Sequence, residues 1–475
     1  MSFQVPQSYA ELPSVAIPVT LVGDQLKQFN GMRTVIKTLP SASGSNIGPS
    51  SSILFNVPAE PYGYIKSRSM YLRATISLTA PFGSENLFAF AGNTYGVALA
   101  SGTSMHGVGG ASSLISRTTV TLPGGASMSY GQQNHWRNAV VPHTLNKVYI
   151  DQELRELEFA GQTKVFVSGS NSAVGSPTVT VLYVVIPIDI PVFNGSAAFP
   201  LLLMSGGVQI EMVTAALGEA FSISTTYTTA ANVTVPTSYS LSSMSLVYEV
   251  MQVTPDFKAA LVASKASNRY MIHVSDRTSV GPVGLTGSTR YNFGVGLSSV
   301  KGVLFTEQLS ASTSAIGSLK GYTPNAMESY AIYRDGQLMS IPNITSRDVA
   351  YAELNRTLGR MFDPSICSAN QQFTGAINTV QPSSYTGVQS GSFLGGCSFE
   401  NIDDWSFSAQ GSPCDQIAIE LTKSSTAGGT ASTTVTAYQE KWGYPFALAN
   451  SNLYLWVLHD SVVVVLPDGT CQVRK

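Results

Sequence analysis

Residues 181–207, VLYVVIPIDIPVFNGSAAFPLLLMSGG, are the most apolar stretch of this 475-residue chain, and they constrain its fold most tightly. Their length fits a transmembrane helix, which needs about 20 apolar residues. Their content does not. Pro187, Pro191 and Pro200 each interrupt a helical hydrogen-bond ladder. Asp189, Asn194 and Gly195 put a charge and a turn near the middle, where lipid penalises both. Val, Ile and Tyr dominate the first half, which is strand chemistry. The stretch predicts two short buried strands joined by a Pro/Asn-Gly turn, and so an all-β protein rather than a membrane span.

Strand-like runs of this kind fill the chain. They occur at 51–57, 69–80, 117–122, 177–188 and 240–253, and again at 298–308, 329–341, 415–424 and 452–469. Many short strands separated by Gly, Pro, Asn and Ser turns read as sandwiches or barrels. Three segments read as helices. In 254–267, Thr254 is a candidate N-cap, Pro255 takes the first helical position, and Phe257 and Leu261 share a face. In 346–362, Ser346 is the candidate cap of a Leu354, Leu358, Met361 stripe. The shorter 151–159 has a stripe of Leu154 and Leu157 with Ile150 just before it.

The order of these elements repeats. A strand ending TVTLPGG (119–125) precedes a helix near 151–159, then GGVQIEMVT (206–214), then MSLVYEVMQV (244–253). In the second half YAIYRDG (330–336) precedes the 346–362 helix, then DQIAIELTK (415–423), then NLYLWVLHDS (452–461). Ile210-Glu211-Met212 and Ile419-Glu420-Leu421 lie 209 residues apart, and Gly125 and Gly336 lie 211 apart. Two landmarks with similar offsets imply duplication of an all-β unit of roughly 200–240 residues, with the boundary near Thr254. Within VQIEMVT, Val208, Ile210 and Met212 are expected on one face of a strand, and Gln209, Glu211 and Val213 on the other.

Charged residues make up 11% of the chain, against about 25% in an ordinary soluble protein. So little charge implies that partners cover part of the surface. The net charge of −2 and the absence of any Lys/Arg run argue against a nucleic-acid binder, whose phosphate contacts need a basic footprint. The first residues, MSFQVPQSYAELP, lack the basic and apolar regions of a signal peptide.

On these segments the chain resembles the double jelly-roll major capsid proteins of the adenovirus-hexon lineage, and within it the shorter proteins of virophage-like and Polinton-like viruses. FPLLLMSGGVQIEM (199–212), followed by YSLSSMSLVYEVMQVTP (239–255), is similar to the close of their first roll and the helix leading into the second. SSVKGVLF (298–305), YRDGQLMSIP (333–342) and the hairpin VVVVLPDGTCQV (463–473) resemble second-roll segments. The likeness runs from about residue 50 to the end. It implies an all-β fold of two tandem eight-stranded antiparallel jelly-roll sandwiches with few short helices. The expected N-terminal roll is 1–253, with a short N-terminal arm, and the C-terminal roll is 254–475. The implied function is that of a major capsid protein. It would assemble as pseudo-hexagonal trimers in an icosahedral DNA-virus shell, beside penton and minor capsid proteins and within the virion. The resemblance leaves contact with an internal membrane open. The Gly/Ser/Thr-rich stretches 83–113, 217–238 and 423–436 suit loops at trimer contacts or on the outer surface.

No catalytic, cofactor-binding or metal site is expected, and the protein does not read as an enzyme. GTSMHG (102–107) matches the segment around a subtilisin-type nucleophile, but no companion His or Asp motif accompanies it. SSVK (298–301) fits a Ser-x-x-Lys pattern, yet strand surroundings separate the pair, leaving Lys301 to solvent or a partner. His459-Asp460 reads as a turn or edge position. Trp442, Tyr444, Phe446, Tyr454 and Trp456 could form a sugar platform, but in a sandwich they read as core. The sequons at Asn194, Asn232, Asn343 and Asn355 are what so much Ser and Thr produces by chance.

Cys367, Cys397, Cys414 and Cys471 lack zinc-site spacing from each other and from His106, His135, His143, His273 and His459. Free, mostly buried thiols are expected, a Cys397–Cys414 disulfide being the alternative. Two other functions fit a jelly roll. A penton or minor capsid component needs only one roll, which the duplicated order argues against. A glycan-binding adhesin would call for an export signal and acidic calcium-type loops, which are not found.

Overall fold

The computed structural model describes residues 33–80, 87–90, 110–144, 166–167, 178–195, 198–223, 238–265, 270–285, 287–309, 321–322, 326–358, 391–400, 411–424, 442 and 451–475. The helix expected at 151–159, the GTSMHG segment, Asn232, Met361, Cys367, Tyr444 and Phe446 lie outside them.

In the first half the strands are β1 (Arg33–Pro40), β2 (Ser52–Val57), β3 (Tyr71–Ala80), β4 (Ile115–Thr121) and β5 (Ser127–Tyr130). Helix α1 (Gln133–Ala139) follows, then β6 (Thr178–Pro187), β7 (Val208–Thr214) and β8 (Ser238–Gln252). They form two antiparallel sheets, β1-β8-β3-β6 and β2-β7-β4-β5. On β7, Val208, Ile210 and Met212 are buried, as the alternation requires. They meet Leu72, Ile76, Leu241 and Leu246 of the other sheet in one core.

Helix α2 (Pro255–Lys265) opens the second half. Its cap is as expected, with Phe257 N–H donating to Thr254 Oγ1 at 3.3 Å. Phe257 and Leu261 pack it onto Tyr64, Leu202 and Val253 of the first roll. The elements after it are β9 (Tyr270–Leu285), β10 (Thr289–Leu309), β11 (Met327–Arg334), β12 (Gln337–Leu338) and α3 (Arg347–Thr357). The chain closes with β13 (Gly395–Ser398), β14 (Ser412–Lys423), β15 (Ser451–Val465) and β16 (Cys471–Arg474). At α3 the Ser346 side chain makes no capping bond, so the expected cap is supplied only by position.

These later strands join as one ten-stranded sheet, β9-β15-β10-β14-β11-β12 along its main path. It folds on itself because β10 serves both layers. Its first part, Thr289–Val300, pairs with β14, and its second, Val300–Leu309, pairs with β15. Register shifts between Gly294 and Gly302 mark the bend, and Gly296 there has a φ of 56°, which a side chain resists. The path β10-β14-β11-β12 thus repeats β2-β7-β4-β5. Likewise β9-β15-β10 repeats β1-β8-β3. The duplicated order is a duplicated topology, and the fold is all-β with two jelly rolls.

The 181–207 stretch departs from expectation in its second half. Its first strand is β6, but no second strand forms. Pro191 instead opens a single helical turn, Pro191–Asn194, and Asn194 Nδ2 donates to the Ile188 carbonyl at 3.0 Å. Phe199 keeps one bridge to Ile65, and Leu201–Leu203 form a 3-10 turn, since Pro200 offers no N–H to a ladder. The stretch is apolar because Val192, Phe193, Phe199 and Leu201 line the first core. Among the described residues no helix is long and apolar enough to cross a membrane.

Candidate functional site

The described residues bring together no catalytic constellation, and the feature with most chemistry is the seam between the rolls. Two strands cross it. Tyr270, Ile272 and Val274 of β9 and Val463 and Val465 of β15 line the first core. Further along, Leu285 of β9 and Leu453, Leu455 and Val457 of β15 line the second. From the other side, α1 reaches out of the first roll. Trp136, Ala139 and Val140 lie at helical spacing and pack into the second core, with the Trp136 ring edge-on to Trp456 at 5.8 Å.

Polar groups lock this arrangement. Arg277 of β9 pairs with Asp189 at 3.0 Å and also donates to the Asp189 carbonyl at 3.1 Å. Its guanidinium lies 4.4 Å from the Trp136 ring centroid and 5.6 Å from that of Tyr130, a stacked and desolvated cation. Burial alone would raise the Asp189 carboxyl, but Arg277 and Arg137 beside it hold it below its usual value. The charge that excluded a membrane span is one half of an inter-roll ion pair. Arg277→Ala is expected to cost about 3 kcal/mol, toward the low end for breaking a buried pair because Asp189 keeps some solvent. Thermal melting measures this.

Next to it, His135 of α1 stacks on Tyr454 with 4.1 Å between centroids and shares a hydrogen bond of 3.0 Å with the Tyr322 hydroxyl. Its Nε2 is 4.0 Å from Glu219, which accepts from Asn134 at 2.9 Å. Burial opposes ionisation of Glu219, yet His135 and Asn134 lower its pKa overall.

The terminal hairpin is the third fastening. Ser205 N–H donates to the Gly469 carbonyl at 2.9 Å, and Cys471 N–H to the Pro123 carbonyl at 2.7 Å. Gly469 has a φ of 80°, and a Cβ there would sit 2.4 Å from Ser205 N. Gly469→Ala therefore meets both a disfavoured backbone and a backbone collision. We expect a loss of about 1–3 kcal/mol, seen as a lower melting temperature.

Two sequence expectations, those for His459 and Lys301, change at this level. His459 is not at a turn or edge; it is enclosed in the middle of β15, which β9 and β10 flank. Lys301 is not left to solvent, because it pairs with Asp460 at 2.7 Å while Ser299 donates to the same carboxylate at 3.0 Å. Ser298, the candidate nucleophile of Ser-x-x-Lys, is exposed, and the pattern makes no Ser–Lys pair. Trp442, Tyr454 and Trp456 are buried core residues rather than a platform. Cys397, Cys414 and Cys471 are free and buried, and burial pushes their thiols up to about 12, 11 and 12. No cluster of His, Cys, Asp or Glu among the described residues is arranged to hold a metal ion.

No protein-family model and no curated protein matches the sequence. Solved structures do match its fold. The Sputnik virophage structure determined by cryo-EM aligns with a TM-score of 0.54 at 13% identity, covering 100% of this chain and 92% of that one. PBCV-1 VP54, as fitted into a cryo-EM reconstruction of Sputnik, gives 0.53 at 12% identity over 94% and 97%. The mavirus major capsid protein gives 0.51 at 11% identity over 100% and 95%. The architecture built up above, two jelly rolls with the same strand order joined through shared strands, is the fold of these double jelly-roll capsid proteins.

Proposed function

We propose that this chain is a major capsid protein that self-associates as trimers, pseudo-hexagonal in outline, to tile an icosahedral shell. The observation that carries this reading is the near end-to-end match of both rolls to viral capsid proteins. The low charge content supports it, since an obligate assembly buries more apolar surface than a monomer can expose. We divide the chain into an N-terminal roll, 1–253, and a C-terminal roll, 254–475, with β9 and β15 also serving the first core. The role is structural, through shape and symmetric contact rather than catalysis. Penton and minor capsid proteins are the further partners, and the virion is the location. Negative-stain imaging of the purified protein tests this: three-fold averages with hexagonal outlines are expected. Particles without three-fold symmetry would contradict it.

A further inference from the structure

The seam inside the chain joins two particular edges. The first roll supplies the corner where β5 turns into α1. There Gln132 donates to the Gly281 carbonyl of β9, and Tyr130 and Trp136 flank Arg277 of the same strand. The second roll supplies the β9 end of its sheet, with β15 beside it. Because the topology is duplicated, each edge has a counterpart in the other roll. The β5–α1 corner corresponds to the β12–α3 corner of the second roll, and the β9–β15 edge to the β1–β8 edge of the first. Neither counterpart serves the seam. Among the described residues β1 pairs with β8 alone, and β12 with β11 alone.

Both counterparts present apolar side chains to solvent. On β1, Ile36 is 68% exposed, and Arg33 and Thr34 beside it are exposed too. At the β12–α3 corner, Leu338 is 41% and Ile341 46% exposed. One exposed Leu or Ile is ordinary, but these three sit at the two edges that the duplication singles out. Their charges are complementary. Arg33 has no ion-pair partner among the described residues. The Asp348 side chain, in the first turn of α3, is 86% exposed and meets only the adjacent Arg347, at 3.4 Å. The seam has the same polarity, with its cation Arg277 on the edge strand β9 and its carboxylate Asp189 on the facing roll.

We propose that the β12–α3 corner of one copy of this chain docks on the β1–β8 edge of the next, Leu338 and Ile341 against Ile36, with Asp348 facing Arg33. The inference rests on the trimer reading above and names the contact that makes it. A three-fold ring needs two different patches on each copy, since every copy meets one neighbour with each; a self-complementary patch would stop at a pair. The contact between chains then repeats the join within the chain, and the six rolls of three copies close one ring.

Light scattering on the purified full chain tests this with substitutions on either side. Ile36→Lys, and separately Leu338→Lys combined with Ile341→Lys, put an unpaired charge into the contact. Each is expected to shift the mass from three chains to one. Tyr183→Lys is the control: Tyr183 is 77% exposed, but on β6 at the far edge of the same sheet, so this variant should remain a trimer. Mixing the two single-chain variants leaves one intact pair of patches, so a species of about 100 kDa, two chains of 50.3 kDa, should appear. Trimers that survive substitution on either side, or a mixture that stays at the mass of one chain, would overturn the proposal while leaving the trimer reading in place. An unaltered chain that is itself a monomer would remove both. If Ile36→Lys fails to fold, Arg33→Glu on the same strand replaces it, with the same loss of trimer expected.

Discussion

Replacing Lys423 by alanine is expected to cost about 3–5 kcal/mol at neutral pH. Lys423 Nζ lies 2.6 Å from Glu307 Oε2, and Ser451 Oγ donates to the same oxygen at 2.9 Å. The carboxylate is fully enclosed, the ammonium nearly so, and Glu307 Oε1 has no hydrogen-bond partner among the described residues. Burial raises the Glu307 pKa, while Lys423 and Ser451 pull it back. Without Lys423 that opposition is lost and the pKa rises further. A raised folded-state pKa contributes stability that is complete below the unfolded value and is lost as pH rises through the folded one. The variant should therefore be most impaired at neutral pH and recover on acidification toward about pH 4.5. Pairing Lys423→Met with Glu307→Leu should recover most of the loss, since an apolar pair needs no desolvated charge. Melting curves against pH for the three chains test this. A single variant with a pH-independent loss would contradict it.

Trp456→Ala is the second large effect, also about 3–5 kcal/mol. The ring is fully buried, stacks on Tyr454 with 6.5 Å between centroids and takes the edge of Trp136. Truncation opens a cavity at the point where α1 enters the second roll, so core and seam weaken together. Trp456 Nε1 has no acceptor among the described residues. Trp456→Phe keeps much of the ring volume and removes that unpaired donor, so its cost should be only about 1 kcal/mol. Equal losses in the two variants, measured by denaturant unfolding, would show that volume is not what the ring supplies.

What the sequence made legible follows from the range of each interaction. Alternation on VQIEMVT and the repeated order of landmarks are local patterns, and they became β7, β14 and the matching sheet paths. The fused strand β10 was only partly legible: the apolar run at 298–308 marks its second part, while the first part, from Thr289 to the bend, pairs with β14. Helix α1 left only the Trp136, Ala139, Val140 spacing, too short a run to stand out. The seam was hidden for a different reason. Asp189 and Arg277 stand 88 residues apart, and Thr278 and His459 stand 181 apart, so no window along the chain holds both partners. Asp189 was noticeable only as a charge in an apolar stretch, and the structure gives that charge its partner.

The most direct test of the central claim is the mass of the purified protein in solution, followed by mass photometry through a dilution series. Assembly as a capsomer predicts one dominant species of about 150 kDa, three chains of 50.3 kDa, that persists on dilution. A single species at the mass of one chain at every concentration would contradict it.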